Sequence, residues 1–203
     1  MPKRVDHEER RARIAEALWR IACARGLDGA SLRDVAAEAG ISLGQLQHYF
    51  ASKDDMLVFA LEHISDLAAR RVGERLRGLS GEPSPRDVLL GSVREMLPLD
   101  DKSRTGHLVQ IAYFVRAVHD ERLRRHAKEG VPGLRAFFAG QVREGQARGE
   151  VAADRDPEVE AALLIALVDG LASYAVLEVW SAEEALGLVA GHLDRLFGGG
   201  AGA

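Results

Sequence analysis

Apolar residues recur along most of the chain at the spacing of one helix face. Ile14, Leu18, Ile21 and Ala22 stand at i, i+4, i+7 and i+8. Leu32, Val35, Ala36 and Ala39 form a second such set, and Leu43, Leu46 and Phe50 a third. No stretch alternates apolar and polar positions for long, and β-branched residues do not cluster, so strands are not expected. Helix starts are marked by Ser followed three residues later by Asp, Glu or Gln. The pairs are Ser31–Asp34, Ser42–Gln45, Ser52–Asp55, Ser84–Asp87 and Ser181–Glu184. In each, the serine oxygen can accept the N–H three residues on, while the second side chain reaches back to the serine N–H. Asp156-Pro157 adds a cap followed by proline at the first helical position, and Gly26, Gly40 and Gly149 stand where helices should stop. The pattern predicts an all-α chain of about nine helices, near 7–25, 32–39, 43–50, 53–77, 85–97, 103–118, 121–148, 157–179 and 182–197. Gly130-Val131-Pro132-Gly133 is expected to kink or break the seventh. The most apolar run, Ala161 to Leu177, carries Asp169 and is flanked by Glu160 and Glu178. It falls short of the roughly 20 apolar residues a spanning helix needs, so it reads as a buried helix and no membrane partner is expected.

Composition narrows the function classes. The chain has 203 residues, 47% hydrophobic and 29% charged, which is enough for one sizeable core or two small ones. The lone Cys23 excludes an internal disulfide framework and a cysteine-rich zinc site, and reads as a structural thiol beside core positions. No apolar stretch follows Met1-Pro2-Lys3-Arg4, so a secretory signal is not expected and a cytoplasmic setting is. None of the seven histidines forms a His-x-x-x-His or Glu-x-x-His pair, and no phosphate loop or GxSxG turn is present. No catalytic residue, metal or cofactor is therefore predicted, and the chain is not expected to be an enzyme. The net charge of −4 argues, taken whole, against a nucleic-acid partner.

The segment Ser31 to Lys53 reverses that last inference. It reads SLRDVAAEAGISLGQLQHYFASK, two short helices joined by Ala39-Gly40-Ile41-Ser42. Glycine suits the turn because positive φ costs it nothing, and the small Ala36 and Ala39 let the helices approach. Leu32, Val35, Ile41, Leu46 and Phe50 are spaced to bury, leaving Leu43, Gly44, Gln45, Gln47, His48 and Tyr49 facing outward. That face holds no acid. Glutamine can pair bidentately with adenine in the major groove, glycine permits close approach, and the first-turn N–H groups suit a phosphate. The same pattern also fits an ordinary helical hairpin with a polar outer face. Split at Lys53, nine basic residues meet seven acidic ones in the head, a charge of +2 that leaves −6 for the remainder. Lys3, Arg4, Arg10 and Arg11 read either as an arm near phosphates or as a solvated helix start.

Ser31-Leu32-Arg33-Asp34-Val35-Ala36, Ala39-Gly40-Ile41-Ser42, Gly44, Leu46, Tyr49-Phe50, Ser52-Lys53 and Leu57 resemble the hallmark of the TetR (tetracycline-repressor-like) family of bacterial regulators. The form GQLQHYF, with Gln47 where many members have tyrosine, is similar to the BetI-like branch. The likeness covers the first quarter of the chain. It implies a three-helix DNA-binding head over 1–52, an effector-binding and dimerisation domain over 53–197 and a flexible tail over 198–203. It further implies that Gly44, Gln45 and Gln47 face base edges, that His48, Tyr49 and Lys53 hold phosphates, that Ser31 and Arg33 touch the DNA backbone from the preceding helix, and that Ser42 belongs to the same DNA-binding set. The partners implied are double-stranded operator DNA, a small-molecule effector and a second copy of the chain, joined through about 157–197. Leu163, Leu164, Leu167, Leu171, Val189, Leu193 and Leu196 supply the apolar surface for that joint. The expected function is a ligand-responsive repressor released from its operator.

Candidate effector contacts in the larger segment are His107, Gln110, Tyr113, Phe114, Phe137, Phe138, Asp169 and Tyr174, each of which also suits a core or surface role. Asp169, inside the most apolar helix, could pair across a dimer, cap a pocket or reach solvent. A small all-α enzyme and an interaction module retaining a vestigial helix-turn-helix are the alternative readings.

Overall fold

The computed structural model describes residues 2–25 and 31–198, without the side chains of residues 2–8, Ala22, Cys23 and Arg25. The expectations for Lys3, Arg4, Cys23, Gly26 and the tail beyond Gly198 lie outside what is described. Nine helices are present among the described residues: α1 (Pro2–Arg25), α2 (Leu32–Glu38), α3 (Leu43–Tyr49), α4 (Lys53–Arg77), α5 (Pro85–Met96), α6 (Asp101–His119), α7 (Glu121–Ala147), α8 (Pro157–Val176) and α9 (Ala182–Phe197).

The predicted caps form. Ser31, Ser42, Ser84 and Ser181 each close a reciprocal box with Asp34, Gln45, Asp87 and Glu184. Ser52 accepts the Asp55 N–H at 3.1 Å and donates its hydroxyl to the same carboxylate. Asp156 accepts from Glu158 N–H ahead of α8, with Pro157 at the first helical position. Helix ends obey the same logic. After α2, Gly40 takes φ 68°, and the N–H groups of Gly40 and Ile41 reach back to Ala37 and Ala36. Gly149 at φ 72° ends α7 through the carbonyls of Gln146 and Gly145. The end of α8 repeats the motif with Glu178 at φ 60° in the glycine position, and α8 therefore stops before the predicted boundary.

The expected break at Pro132 is absent, and the reading of α8 is refined. Helix α7 runs unbroken through Pro132. Proline removes one N–H, but Lys128, whose carbonyl loses its partner, is exposed and water can serve it. Helix α8 is 20 residues long and apolar enough in composition to cross a membrane. It is not buried all round. Ala161, Leu164, Val168, Leu171, Ala172 and Ala175 face a core, while Val159, Leu163 and Tyr174 are about half exposed.

The chain divides into two compact units. The first is Met1–Leu67 with Thr105–His126, and the second is Ala68–Arg104 with Ala127–Ala203. The first buries Ile14, Leu18, Val35, Leu46, Phe50, Met56 and Leu57, joined by Val109, Tyr113 and Leu123 from α6 and α7. The second packs α5, α8 and α9 around Leu89, Val93, Phe138, Leu164, Val168, Val189 and Leu193. Burying side chains of this size contributes about 1.5–3 kcal/mol each.

Candidate DNA interface

Helix α3 lies on its neighbours through Leu46, fully buried, and through Phe50 at its C-cap. Its other face is open. Gly44, Gln45, Gln47 and His48 are exposed, and Leu43 and Tyr49 half-buried, as the spacing predicts. A Cβ built on Gly44 would meet nothing within 4 Å, so the surface there is low and unobstructed. Ser31 and Arg33 are exposed at the start of α2, and Lys53 is half-buried at the first position of α4. The nine sequence-predicted residues thus fall on three consecutive helix starts and one helix face of the first unit.

Hydrogen bonding refines what these groups have left to offer. The Ser31 hydroxyl donates to Asp34 at 2.6 Å and accepts its N–H. Ser42 Oγ accepts the Gln45 N–H, so that first-turn donor is spent on the cap rather than open to a phosphate. Gln45 returns the bond through its side-chain oxygen.

Arg11 settles differently from the arm that the sequence suggested. Its guanidinium lies 4.2 Å from the centroid of Phe59 and 5.2 Å from that of Phe50, and its Nε is buried with no hydrogen-bond partner. Cation–π contact and burial make it part of the packing. Beyond Phe59 the stack continues to His63 at 6.0 Å and Trp19 at 5.4 Å. This column ties α1 to α4 beneath α3. Sequence reasoning did not single it out, although Arg11 and Trp19 are two turns apart and Phe59 and His63 one turn.

Two ion pairs reach the same region from far along the chain. Arg116 holds Asp54, and Arg122 holds Asp55. Burial opposes ionisation of Asp55, but hydrogen bonds from Ser52 and Arg122 and the Arg122 charge outweigh it and keep its pKa below the usual carboxylate value. Both aspartates open α4, immediately after the recognition-type helix. Their partners are 62 and 67 residues away, so no local pattern announces them. Arg11, Tyr49, Phe50, Asp55, Phe59 and Arg122 share a shallow depression of about 390 Å³.

The eight effector candidates divide evenly between the units. In the first, His107 and Tyr113 are buried, Gln110 half-buried and Phe114 exposed. The Tyr113 hydroxyl donates to the Leu123 carbonyl at 2.6 Å, and burial holds His107 below the ordinary imidazole value. In the second, Phe138 is fully buried in the core, Phe137 exposed and Asp169 half-buried. Tyr174 is half exposed on α8 and meets Trp180 edge-on at 5.0 Å. Tyr113 and Phe138 therefore serve packing in this structure. Among the described residues no cluster of His, Cys, Asp or Glu could hold a metal.

Comparison with known proteins accords with this geometry. Residues 14–58 match the description of bacterial regulatory proteins of the tetR family, and residues 85–198 that of the BetI-type transcriptional repressor C-terminal domain. The chain is 37% identical over 180 residues to the HTH-type transcriptional regulator PksA of Bacillus subtilis, covering 88% of this chain and 84% of that one. It is 28% identical over 172 residues to the regulator BetI of Burkholderia ambifaria, covering 84% of each. A crystal structure assigned to the TetR family from Rhodococcus sp. superposes with a TM-score of 0.82 at 28% identity, over 94% of this chain and 99% of that one. A transcriptional regulator from Saccharomonospora viridis in complex with choline superposes at 0.76 with 26% identity, over 93% and 95%. An exposed, acid-free second helix on a helix-turn-helix head, followed by a matching repressor-type domain, places the chain in the TetR family of DNA-binding bacterial transcriptional regulators.

Proposed function

We propose that α3 enters the major groove of an operator, with Gly44, Gln45 and Gln47 at base edges and His48, Tyr49 and Lys53 toward phosphates, while Ser31, Arg33 and Ser42 flank the backbone. The observation that carries this reading is the open face of α3, four exposed residues without a carboxylate in a chain that is acidic overall. Hydrogen-bonding groups that the fold leaves outward suit base edges, and a face without acids suits a polyanion. The test is a binding assay on duplexes enriched from a randomised pool. Gln47→Ala should change which sequence is preferred, by about tenfold at one position. A Gln47→Ala protein with the wild-type sequence preference would break this assignment.

Dimerisation is proposed through α8 and α9. Val159, Leu163, Ala166, Gly170, Tyr174 and Leu177 make one continuous outward stripe, and Gly187 and Leu188 are exposed on α9. The expected contact set is thereby revised. Leu164, Leu171, Val189, Leu193 and Leu196 are buried within the chain itself, so Leu163 and its exposed neighbours form the joint. Two half-sites read by such a dimer would lie about 34–36 Å apart, one turn of DNA.

Release by a small organic effector completes the reading. The choline complex of the S. viridis regulator and the BetI-type match support a ligand held by the larger domain. Of the candidate contacts, Gln110 and Phe114 in the first unit and, separately, Phe137, Asp169 and Tyr174 in the second are not fully buried. An effector favouring one dimer geometry over the other lowers operator affinity by its differential affinity for the two. Titrating quaternary ammonium compounds into the operator complex tests it, and choline-type ligands without effect on operator affinity would exclude that class.

A further inference from the structure

The cap of α3 differs from every other serine cap among the described helices. Asp34, Asp87 and Glu184 close the boxes of α2, α5 and α9 with carboxylates, and at α4 the Asp55 carboxylate accepts from the Ser52 hydroxyl. At α3 an amide does this: Ser42 N–H donates to Gln45 Oε1 at 3.0 Å, and Gln45 N–H donates to Ser42 Oγ at 3.2 Å. A carboxylate would cap more strongly, because the bond is charge-assisted and the helix start is positive. It would also stand among phosphates if α3 faces DNA. The neutral cap has a second consequence. A backbone N–H only donates, so the atom it meets must be the amide oxygen, and the orientation of the Gln45 amide is fixed. What the exposed side chain then presents outward is its NH2 group. Gln47, also exposed, belongs to no cap.

We propose that Gln45 reads DNA as a donor and that its preferred partner is guanine, whereas Gln47 keeps both ends of its amide for adenine. This rests on the placement of α3 in the major groove. Guanine offers two adjacent acceptors, N7 and O6, which together take both hydrogens of one NH2 group. Adenine places a donor beside its N7 and is matched by an amide that supplies an acceptor next to its donor. With its oxygen held by Ser42, Gln45 lacks that second half. Two glutamines two positions apart on one helix thus specify different bases, and the serine cap makes the difference.

The experiment is duplex selection from a randomised pool with the full-length protein, its Gln45→Glu and Gln45→Met variants and Gln47→Ala. Gln45→Glu retains an acceptor for Ser42 and should melt no lower than the wild type, which separates capping from DNA contact. The wild type should enrich guanine at one position per half-site. Both Gln45 variants should lose that preference while retaining the rest of the half-site. Replacing that guanine by 7-deazaguanine, which lacks the N7 acceptor, should weaken the wild type about fivefold and leave Gln45→Met unchanged. Adenine at the Gln45-dependent position would overturn the proposal. So would a preference altered by Gln47→Ala but by neither Gln45 variant. If no variant alters the selected sequence, the placement of α3 itself fails, and with it the proposal.

Discussion

Helices α3 and α8 each leave one face uncovered, and the two faces are opposites. On α3 the open positions carry amides, an imidazole and a glycine, and on α8 they carry Val159, Leu163, Gly170 and Tyr174. Both are candidate contact surfaces. What completes them differs. Exposed amides lose nothing in water and discriminate among hydrogen-bonding partners, so they encode specificity. An apolar stripe is penalised by water and gains about 25 cal/mol for each Å² covered, so it encodes association. On the proposed reading, one chain carries its selectivity and its adhesion on separate helices.

The strongest way to break the comparison is to make α8 resemble α3. Leu163→Asp, at a position 54% exposed and so outside the core, should leave each chain folded. It should weaken self-association by about 100-fold or more, because an unpaired carboxylate would be buried at the joint. Light scattering reads the mass, and a variant that stays dimeric at micromolar concentration refutes the α8–α9 joint.

Next comes a pair within the first unit. Lys53→Ala should weaken binding to all duplexes alike and lower the slope of log affinity against log salt by about one. Arg11→Ala should leave that slope unchanged and instead lower the stability by about 1–2 kcal/mol, since its guanidinium is spent on Phe59 and Phe50. Equal loss of slope in both variants would restore Arg11 to a phosphate contact.

A smaller effect is common to both units and depends on pH. Burial holds His107 in the first and His192 in the second below the ordinary 6.5. For His192 burial outweighs the pull of Glu160, and Arg195 and Arg155 act in the same direction as burial. The unfolded chain then binds more protons than the folded one as pH falls through about 6.5, so stability decreases below that pH. Urea melts at pH 7.5 and 5.5 measure it. His192→Leu, which removes a buried Nε2 without a partner, should make the decrease shallower. The smallest change is Glu178→Gly. A side chain at φ 60° costs roughly 1 kcal/mol that glycine does not, so this variant should melt slightly higher.

The elements were legible because their signals are local. The serine boxes, Asp156-Pro157 and the two glycine stops sit within one turn of the groups they satisfy. The open face of α3 follows from the same periodicity that buries Leu46 and Phe50. Three things were not legible. The passage of α7 through Pro132 depends on solvent reaching a carbonyl, which a glycine–proline pattern does not reveal. Which leucines of α8 and α9 face inward depends on the packing of α5 beside them. The Arg116–Asp54 and Arg122–Asp55 pairs depend on chain separations that no periodicity encodes.

Those two pairs bear on the order in which the molecule is made. The first compact unit begins with α1 but takes in Thr105–His126, so its aspartates wait for arginines synthesised after the intervening segment Ala68–Arg104. At about 5–20 residues per second, translation alone delays that closure by several seconds. A nascent chain that has released α1 to α3 already carries the open face of α3 while Asp54 and Asp55 still lack their partners. The first unit is thus completed late on the ribosome, and a gene fragment ending near Leu67 would encode α3 without the two arginines that hold Asp54 and Asp55.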